Sequence, residues 1–331
     1  MKKFFLLLLI LMALATAGFS QKTTQSLKGK TICIDPGHGG TALTDSYRVG
    51  PTGEREEWVN LRVGSMLQKM LQEKGATVIM TRTEDKVVTL PERAKIAVDN
   101  KADVFVSIHH NATADSSVNF PIIYFHGNAS ENAASVDLGK ALASRLLIHL
   151  HQPDSPVSLV SDFTVFATSG ASVLRNTYGI PAILAEASFF TNAGEEQKLK
   201  QESHNRHEAK AYMEALEAFF TKPIAKIEVK NSKVPAIPPF IVFQEAERMT
   251  PIAKRWKQDF LDAEHLMTRE DPASLNTAYD LFTRSARSFP DSPVAAQCHA
   301  SRAKILALQS KNTEAAQEAQ RVNEYYVNFR R

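Results

Sequence analysis

The stretch at residues 31–40, Thr31-Ile32-Cys33-Ile34-Asp35-Pro36-Gly37-His38-Gly39-Gly40, decides the fold of the first part of the chain. Its first half alternates β-branched residues with a small thiol, which predicts a short buried strand. Pro36 and the glycines then end the strand sharply, because proline lacks an N–H and glycine tolerates positive φ. His38 is therefore predicted on a tight loop at the carboxyl end of a strand, where open α/β sheets form ligand crevices.

An alternation of strand and helix patterns extends from residue 28 to about residue 222. Such an alternation predicts an α/β fold with a central, mostly parallel sheet that is flanked by helices on both faces. Residues 151–168 show no clear pattern. The predicted strands cover residues 31–35, 77–82, 103–108, 121–125 and 182–188, and the predicted helices cover residues 54–74, 90–100, 130–150 and 192–220.

The N-terminus has the layout of a cleaved export signal at residues 1–20. Lys2 and Lys3 precede the apolar run 4–15, and small residues follow through Ser20. The run is too short to span a bilayer comfortably, so no transmembrane anchor is expected after cleavage. Cleavage after Ala17 and cleavage after Ser20 both fit the pattern. We therefore predict an exported protein, located in the periplasm or outside the cell at the wall.

Residues 223–331 differ in character from the α/β part. Four prolines and scattered lysines at 223–243 predict a stiff polar linker. Helical patterns follow at 244–331, and the sequence Phe289-Pro290-Asp291-Ser292-Pro293 predicts a helix stop and a proline-assisted restart. The predicted organisation is therefore an α/β domain at 28–222, this linker, and a small all-helical domain. The helices resemble tetratricopeptide-type hairpins, but barely two repeats fit where about three are usual, so a plain bundle is an equal alternative.

Charge and cysteine content narrow the possible classes. The formal net charge is +3 and falls to +1 once Lys2 and Lys3 are removed, whereas nucleic-acid-binding domains are usually strongly basic. Nucleic acid is therefore not expected as a partner. Cys33 and Cys298 lie in different predicted domains, and Cys33 lies in a buried strand, so both are expected to be free thiols.

Side chains that can bind a metal or move a proton fall at the ends of the predicted elements. Two histidines and a carboxylate, with a spare carboxylate, are the ligand set of a hydrolytic zinc site with one open position. Adjacent strand residues point to opposite faces, so only one histidine of a neighbouring pair can face the metal. An unpaired buried charge is costly, which marks a glutamate in an apolar run as a candidate general base. The candidates are His38, the helix-opening Glu54, Glu56 and Glu57, the pair His109 and His110, and Glu186.

Five motifs occur in order along the α/β part of the chain. They are Asp35-Pro36-Gly37-His38-Gly39-Gly40, Glu56-x-x-x-Asn60-Leu61, Thr81-Arg82, Ser107-Ile108-His109-x-Asn111 and Pro181-Ala182-Ile183-Leu184-Ala185-Glu186-x-x-Phe189-x-x-Asn192. With these motifs the sequence resembles the zinc-dependent N-acetylmuramoyl-L-alanine amidases of the type-3 amidase family over about residues 28–220. The resemblance implies a central sheet flanked by helices, and hydrolysis of the amide between N-acetylmuramic acid and the L-alanine of the stem peptide in bacterial peptidoglycan.

The resemblance also implies a role for individual residues. One Zn²⁺ ion would be held by His38, Glu56 and His109, since the ligand glutamate of the family stands four residues before Asn60 and its histidine directly follows Ser-Ile. Glu186 falls at the place of the catalytic glutamate, which takes a proton from water and delivers it to the leaving nitrogen. The other two glutamates at the start of the helix are expected to be solvated charges.

Four further residues are second-tier candidates. Asp35 and Asn111 would orient the histidines through hydrogen bonds. Arg82 would bind a carboxylate of the stem peptide, and His110 would face the other side of the sheet or the substrate groove. A purely structural role is an open alternative for Asp35, Arg82 and Asn111.

Two other functions stay open on the sequence alone. One is a zinc peptidase or amidase that acts on another bond of the stem peptide. The other is a catalytically silent, peptidoglycan-binding regulator of other hydrolases. Peptidoglycan is the expected partner in each case. The helical domain would bind a regulatory protein or the wall, or lie across the active site as a brake.

Overall fold

The computed structural model describes residues 25–44, 48–230, 235–269 and 271–329. The predicted signal peptide, residues 1–20, lies outside the described residues. Within the described part of the chain, no helix is both long enough and apolar enough to cross a membrane.

Six strands form one sheet. They are β1 (Thr31–Pro36), β2 (Thr77–Met80), β3 (Val104–Asn111), β4 (Ile122–Phe125), β5 (Ser158–Ser161) and β6 (Ala182–Phe189). Their order is β2-β1-β3-β6-β4-β5, and neighbours are parallel except for the antiparallel pair β6 and β4. The predicted mostly parallel α/β sheet is therefore confirmed. β5 comes from the segment without a clear pattern, because its four residues are too short a run to show an alternation.

Helices cover both faces of this sheet. They are α1 (Glu56–Glu73), α2 (Leu90–Asp99), α3 (Ala133–His149), α4 (Ser172–Asn176), α5 (Ala193–Leu199) and α6 (Glu202–Phe220). On one face α6 packs against α1 and α3, and side chains such as Val63 and Tyr212 fill the larger apolar core. On the other face α2 packs against α4 beside Phe105 and Leu174. The candidate functional site lies at the carboxyl edge of the sheet.

One predicted helix is divided in two. The sequence predicts a single helix over 192–220, whereas α5 ends at Leu199 and α6 begins at Glu202. The carbonyl of Leu199 accepts hydrogen bonds from Arg62 Nη2 at 2.9 Å and from Asn205 Nδ2 at 3.0 Å. These side chains satisfy an acceptor at the end of α5, so the chain turns there without a buried unpaired carbonyl.

The described part of residues 244–331 is helical. It contains α7 (Glu245–Arg248), α8 (Trp256–Met267), α9 (Pro272–Ser288), α10 (Ala295–Leu308) and α11 (Asn312–Tyr325). From α8 onward each helix packs against the next. α9 ends at Ser288 and α10 begins at Ala295, so the helix stop predicted at residues 289–293 falls between them. The small all-helical region predicted after the α/β part is thereby confirmed.

The helical region contacts the sheet, and two of these contacts position it. Trp256 and Phe289 belong to the same apolar cluster as Phe189 of β6. At the other end, Val327 N donates a hydrogen bond to Leu159 O of β5 at 2.9 Å. The helical region therefore covers part of one face of the sheet and protects the edge of β5.

The segment predicted as a polar linker, residues 223–243, is partly packed. Ile237 is 1% exposed and lies in an apolar cluster with Phe163 and Tyr325. Arg321 Nη2 also donates a hydrogen bond to Pro238 O at 2.6 Å. The expectation of a connector without packing contacts is therefore wrong for this part of the segment.

A buried carboxylate stabilises the helical region. Glu318 Oε2 lies 2.5 Å from His299 Nδ1, and Glu318 Oε1 accepts a hydrogen bond from Arg302 Nη2 at 3.2 Å. Burial by itself raises the pKa of Glu318, but the hydrogen bond with His299 and the charge of Arg302 bring it down to about 2. The carboxylate is therefore ionised at neutral pH.

We expect Glu318→Gln to lower the free energy of unfolding by about 1–3 kcal/mol at neutral pH, since it removes a buried charge-assisted hydrogen bond. An unfolded glutamate has a pKa of about 4.3. A pKa that is lower in the folded state than in the unfolded state adds to the free energy of unfolding. This contribution of Glu318 is complete above the unfolded pKa and is lost as the pH falls towards about 2. Denaturant titrations at about pH 7, 5 and 3 measure the difference from wild type, which should shrink at the lowest pH. A difference that stays constant would contradict this account.

Candidate metal centre and active site

The His38 loop leaves β1 at the carboxyl edge of the sheet. Pro36 pairs with Ile108 of β3, and Gly37 N donates a hydrogen bond to Ile108 O at 2.9 Å. His38 then has a φ of 57°, in the left-handed region that residues with a side chain rarely adopt. That conformation costs roughly 1 kcal/mol, so neighbouring groups must hold the loop.

Two buried arginines hold this loop by its carbonyl groups. Arg82 donates from Nε to Pro36 O at 2.8 Å and from Nη2 to Gly37 O at 2.9 Å. Arg93 donates from Nη1 to Pro36 O at 2.9 Å and from Nη2 to His38 O at 2.5 Å. Hydrogen bonds from charged donors are roughly twice as strong as neutral ones. The two guanidinium groups therefore fix the backbone that carries His38.

The predicted contact of Arg82 with a substrate carboxylate does not fit its position. Arg82 is 1% exposed, and its Nη2 also donates to Glu57 O at 2.6 Å. Its donors point at carbonyls of the loop and of α1 rather than at space open to a substrate. Arg82 is thus a support for the site. Arg93 was not among the predicted site residues, because its place within α2 carries no local signal.

Asp35 orients Arg93 rather than a histidine. Its carboxylate accepts hydrogen bonds from Thr81 Oγ1 at 2.6 Å, Ser107 Oγ at 2.7 Å and Arg93 Nη1 at 2.7 Å. Burial by itself raises the pKa of Asp35, but Arg93 and the two hydroxyl groups lower it below its usual value. The predicted direct contact with a histidine is replaced by an indirect one, through Arg93 and the carbonyl of His38.

Glu56 begins α1 and faces two imidazoles. Its Oε1 lies 3.2 Å from His38 Nε2 and 2.9 Å from His109 Nδ1. The backbone N–H of His110 and Asn60 Nδ2 each donate to the same oxygen at 3.3 Å. Burial by itself raises the pKa of Glu56, yet the two histidines hold it well below its usual value. The carboxylate is therefore ionised, as a metal ligand must be.

The other two glutamates at this helix start are paired with arginines. Glu57 is buried, and its Oε1 lies 2.6 Å from Arg55 Nε. Glu54 Oε1 lies 2.7 Å from Arg62 Nη2. The expectation that they are solvated charges is wrong, because a guanidinium group engages each carboxylate. Glu56 is the member of the three that lies beside both imidazoles.

His109 lies two residues before the end of β3 and packs against the His38 loop. The register between β3 and β6 shifts between His109 and Asn111. A β-carbon built on Gly37 would lie 2.2 Å from the His109 ring, far inside van der Waals contact. A glycine is therefore required at position 37 for the loop and the imidazole to approach each other.

His110 points to the opposite face of the sheet, which is one of its two predicted positions. It is 1% exposed, with Nδ1 at 2.8 Å from Asn60 Oδ1 and Nε2 at 3.0 Å from Glu208 Oε2. Burial by itself lowers the pKa of His110, but the charge of Glu208 gives a net rise. Asn60 also donates to Gly37 O at 3.3 Å, so this network reaches the loop that carries His38. Glu208 was not among the predicted site residues.

Asn111 and Arg48 complete the surroundings of the site. The Asn111 side chain accepts a hydrogen bond from Ala112 N at 2.7 Å, so that oxygen supports the loop after β3 instead of the predicted histidine. Arg48 is a residue that the sequence analysis missed. Its Nε lies 3.8 Å from Glu56 Oε2, and its side chain is partly exposed. No spacing rule marks Arg48, because it lies in a turn-rich stretch.

His38, Glu56 and His109 form a cluster that fits one metal ion. Their ligand atoms lie within 4.8 Å of one another, and the imidazole centroids are 4.7 Å apart. Tetrahedral bonds of about 2.1 Å place ligand atoms about 3.4 Å apart, so small side-chain rotations suffice. Burial lowers the pKa of His38, which favours the neutral imidazole that binds metals.

Glu186 lies in β6, in register with His109 on one side and with Ile122 of β4 on the other. It is partly buried, and its Oε2 has no hydrogen-bond partner among the described residues. Burial raises the pKa of Glu186 well above its usual value, and the charge of Glu56 raises it further. A carboxylate in this position can exchange protons with a reacting group.

These features define a class of protein. A mostly parallel sheet with two histidines, a ligand carboxylate and an unpaired carboxylate at its carboxyl edge is the arrangement of a metal-dependent hydrolase. The sequence profile of the N-acetylmuramoyl-L-alanine amidase family, Amidase_3, matches residues 32–218. The chain belongs to this family, which confirms the predicted family and the predicted amidase function.

Individual proteins are also similar to this chain. The uncharacterized protein YqiI of Bacillus subtilis (strain 168) is 33% identical over 209 residues, which cover 63% of this chain and 93% of that protein. The probable cell wall amidase LytH of Staphylococcus epidermidis is 31% identical over 199 residues, 60% of this chain and 61% of that protein. The crystal structure of an N-acetylmuramoyl-L-alanine amidase from Clostridium difficile 630 superposes with a TM-score of 0.50 at 28% identity, covering 58% of this chain and 97% of that one.

We expect Gly37→Ala to disrupt the metal centre, because the new β-carbon would overlap the His109 ring. Metal affinity should fall by about 10-fold or more, as it does when the support of a ligand is lost. A zinc titration of the purified protein measures the effect. Gly194→Ala is the matched control, since its β-carbon meets Asn192 Oδ1 at 3.4 Å, in ordinary contact. Wild-type affinity in Gly37→Ala would show that the close approach is unimportant.

Proposed function

We propose that this protein hydrolyses the amide bond between N-acetylmuramic acid and the L-alanine of the stem peptide in peptidoglycan, in a zinc-dependent reaction. The observation that carries the proposal is the cluster of His38, Glu56 and His109 beside Glu186, in a chain of the N-acetylmuramoyl-L-alanine amidase family. A relative named as a probable cell wall amidase supports peptidoglycan as the substrate.

Zinc is the metal that suits this donor set. Two imidazole nitrogens and one carboxylate oxygen are ligands of hydrolytic zinc sites, whereas magnesium and calcium prefer oxygen alone. His38, Glu56 and His109 would hold the ion, and Asn60 steadies Glu56 through its hydrogen bond at 3.3 Å. When bound, the ion polarises the scissile carbonyl and makes water acidic enough to attack near neutral pH.

Glu186 would carry the proton. In amide hydrolysis the attacking water loses a proton, a C–O bond forms, the C–N bond breaks and the leaving nitrogen gains a proton. Glu186 can accept the first proton on its unpaired Oε2 and deliver it to the amine of L-alanine. Its raised pKa favours holding the proton between these two steps. The products are a free lactyl carboxylate on the sugar and a stem peptide with a free amine.

The proposed location follows from the substrate. Peptidoglycan lies outside the cytoplasm, so the predicted signal at residues 1–20 would direct the protein to the periplasm or the cell surface. We propose that residues 244–331 also contact a regulatory protein, because they lie outside the matched family region, residues 32–218.

We expect Glu186→Gln to abolish wall hydrolysis while the metal content stays unchanged. The amide keeps the shape of the side chain but cannot shuttle a proton, so activity should fall by about 100-fold or more. The loss of turbidity of purified cell walls, paired with metal analysis, measures both quantities. Glu73→Gln, at an exposed position of α1, is the matched control. Lysis at full rate by Glu186→Gln would refute the assigned role.

Mass spectrometry of digested peptidoglycan identifies the bond that is cut. We expect intact glycan with free lactyl groups, together with complete stem peptides that begin with a free L-alanine amine. Shortened stem peptides that are still attached to the glycan would instead indicate a peptidase of the stem.

We expect metal removal to abolish hydrolysis. Treatment with a chelator should stop activity, and one equivalent of zinc should restore it, because a site of nitrogen and carboxylate ligands binds zinc far better than magnesium. His38→Ala should not be restored at that zinc concentration, since it lacks one of the three ligands. Restoration of the wild-type enzyme by magnesium alone would exclude the proposed zinc site.

A further inference from the structure

The turn between α9 and α10, residues 289–294, reaches the strand that carries Glu186. Phe289 packs against Phe189 at the end of β6, with ring centroids 6.3 Å apart. Phe120 joins this group, with its ring centroid 6.0 Å from that of Phe289. This first contact lies three residues after Glu186 along β6.

A second contact lies on the other side of Glu186. Tyr124 of β4 pairs in register with Leu184, two residues before Glu186 in β6. The hydroxyl of Tyr124 donates a hydrogen bond to the carboxylate of Asp291, in the same turn. Alternation along the strands places Tyr124 and Glu186 on one face of the sheet. The turn therefore crosses β6 at the level of Glu186, on the face of the sheet that carries the Glu186 side chain.

Asp291 is buried and keeps an unpaired oxygen. It is 3% exposed, and its Oδ1 has no hydrogen-bond partner in the described ranges. Oε2 of Glu186 is unpaired in the same sense. A buried carboxylate oxygen without a hydrogen-bond partner is stabilised when a cation binds it.

The turn does not cover the candidate site. The side chains of His38 and His109 are 25% and 13% exposed, and Glu186 is partly exposed as well. A plug over the catalytic residues would leave all three without solvent contact. The turn therefore lies beside Glu186 and does not cover the two imidazoles.

We propose that Asp291, held by Tyr124, binds the ammonium group of the released peptide beside Glu186. The inference rests on the proposed function, because hydrolysis of the muramoyl amide leaves L-alanine with a free α-amine. The C–N bond breaks, the nitrogen takes one proton from Glu186, and the new carboxylic acid supplies the second through solvent. An α-amine has a pKa of about 8, so the product is an ammonium ion at neutral pH. The helical region thus contributes a binding residue to the active site.

Two peptides that differ only in this charge test the proposal. They are L-alanyl-D-isoglutamine and its N-acetylated form, bound to the full-length, zinc-loaded protein. Calorimetry reads their affinities without turnover. Wild type should bind the free amine about 10-fold more tightly, as expected for a partly buried charge pair. Asp291→Asn should lower this ratio at least about threefold. Asp280→Asn removes an exposed carboxylate of α9 and should leave the ratio unchanged.

An unchanged ratio in Asp291→Asn, with the unfolding temperature of wild type, would overturn the proposal. If Asp291→Asn does not fold, the wild-type protein still tests the proposal, because equal affinity of the wild-type protein for the two peptides also overturns the proposal. The products of the cell-wall digest test the proposed function separately from the role of Asp291. A protein that releases intact stem peptides but does not prefer the free amine keeps its proposed function and loses only the role of Asp291.

Discussion

The candidate metal site depends on hydrogen bonds from Arg82 and Arg93 to three consecutive carbonyl groups, those of Pro36, Gly37 and His38. His38 has a left-handed φ of 57°, which costs roughly 1 kcal/mol. A hydrogen bond from a charged donor contributes about 1.5–3 kcal/mol, so these contacts outweigh the strain. Because the loop is held, its imidazole stays 3.2 Å from the carboxylate of the first residue of α1.

Two guanidinium groups in one buried space repel each other. Burial, together with the charge of Arg93, lowers the pKa of Arg82 to about 10, which still leaves it charged at neutral pH. Asp35 offsets the charge of Arg93 at 2.7 Å. A buried ion pair of this kind is often no more stabilising than apolar side chains of the same volume. The ion pair of Asp35 and Arg93 instead fixes the position of the loop, since apolar side chains could not bind the carbonyl groups that set the direction of His38.

The sequence predicts the elements that carry the site because each motif is local. A β-branched strand followed by proline and glycine is enough to place His38 at a strand end. The partners of these residues are not local. Arg93 reaches the carbonyl of His38 across 55 residues, and Glu208 reaches His110 across 98. The hydrophobic periodicity of a segment reflects that segment alone, so it does not indicate contacts between distant elements. The family resemblance, and not the residue pattern, singled out Glu56.

The helical region is packed onto the α/β part, because it covers an apolar surface and a strand edge of that part. Trp256 and Phe289, whose ring centroids are 5.0 Å apart, lie in one apolar cluster with Phe189. Val327 bonds to Leu159 and so occupies the edge of β5, which would otherwise be open to pairing with another chain. Deleting the region would expose an aromatic surface and a strand edge together, and both favour aggregation. A contribution of the α9–α10 turn to the reaction therefore shows in single substitutions, since deletion mixes it with loss of solubility.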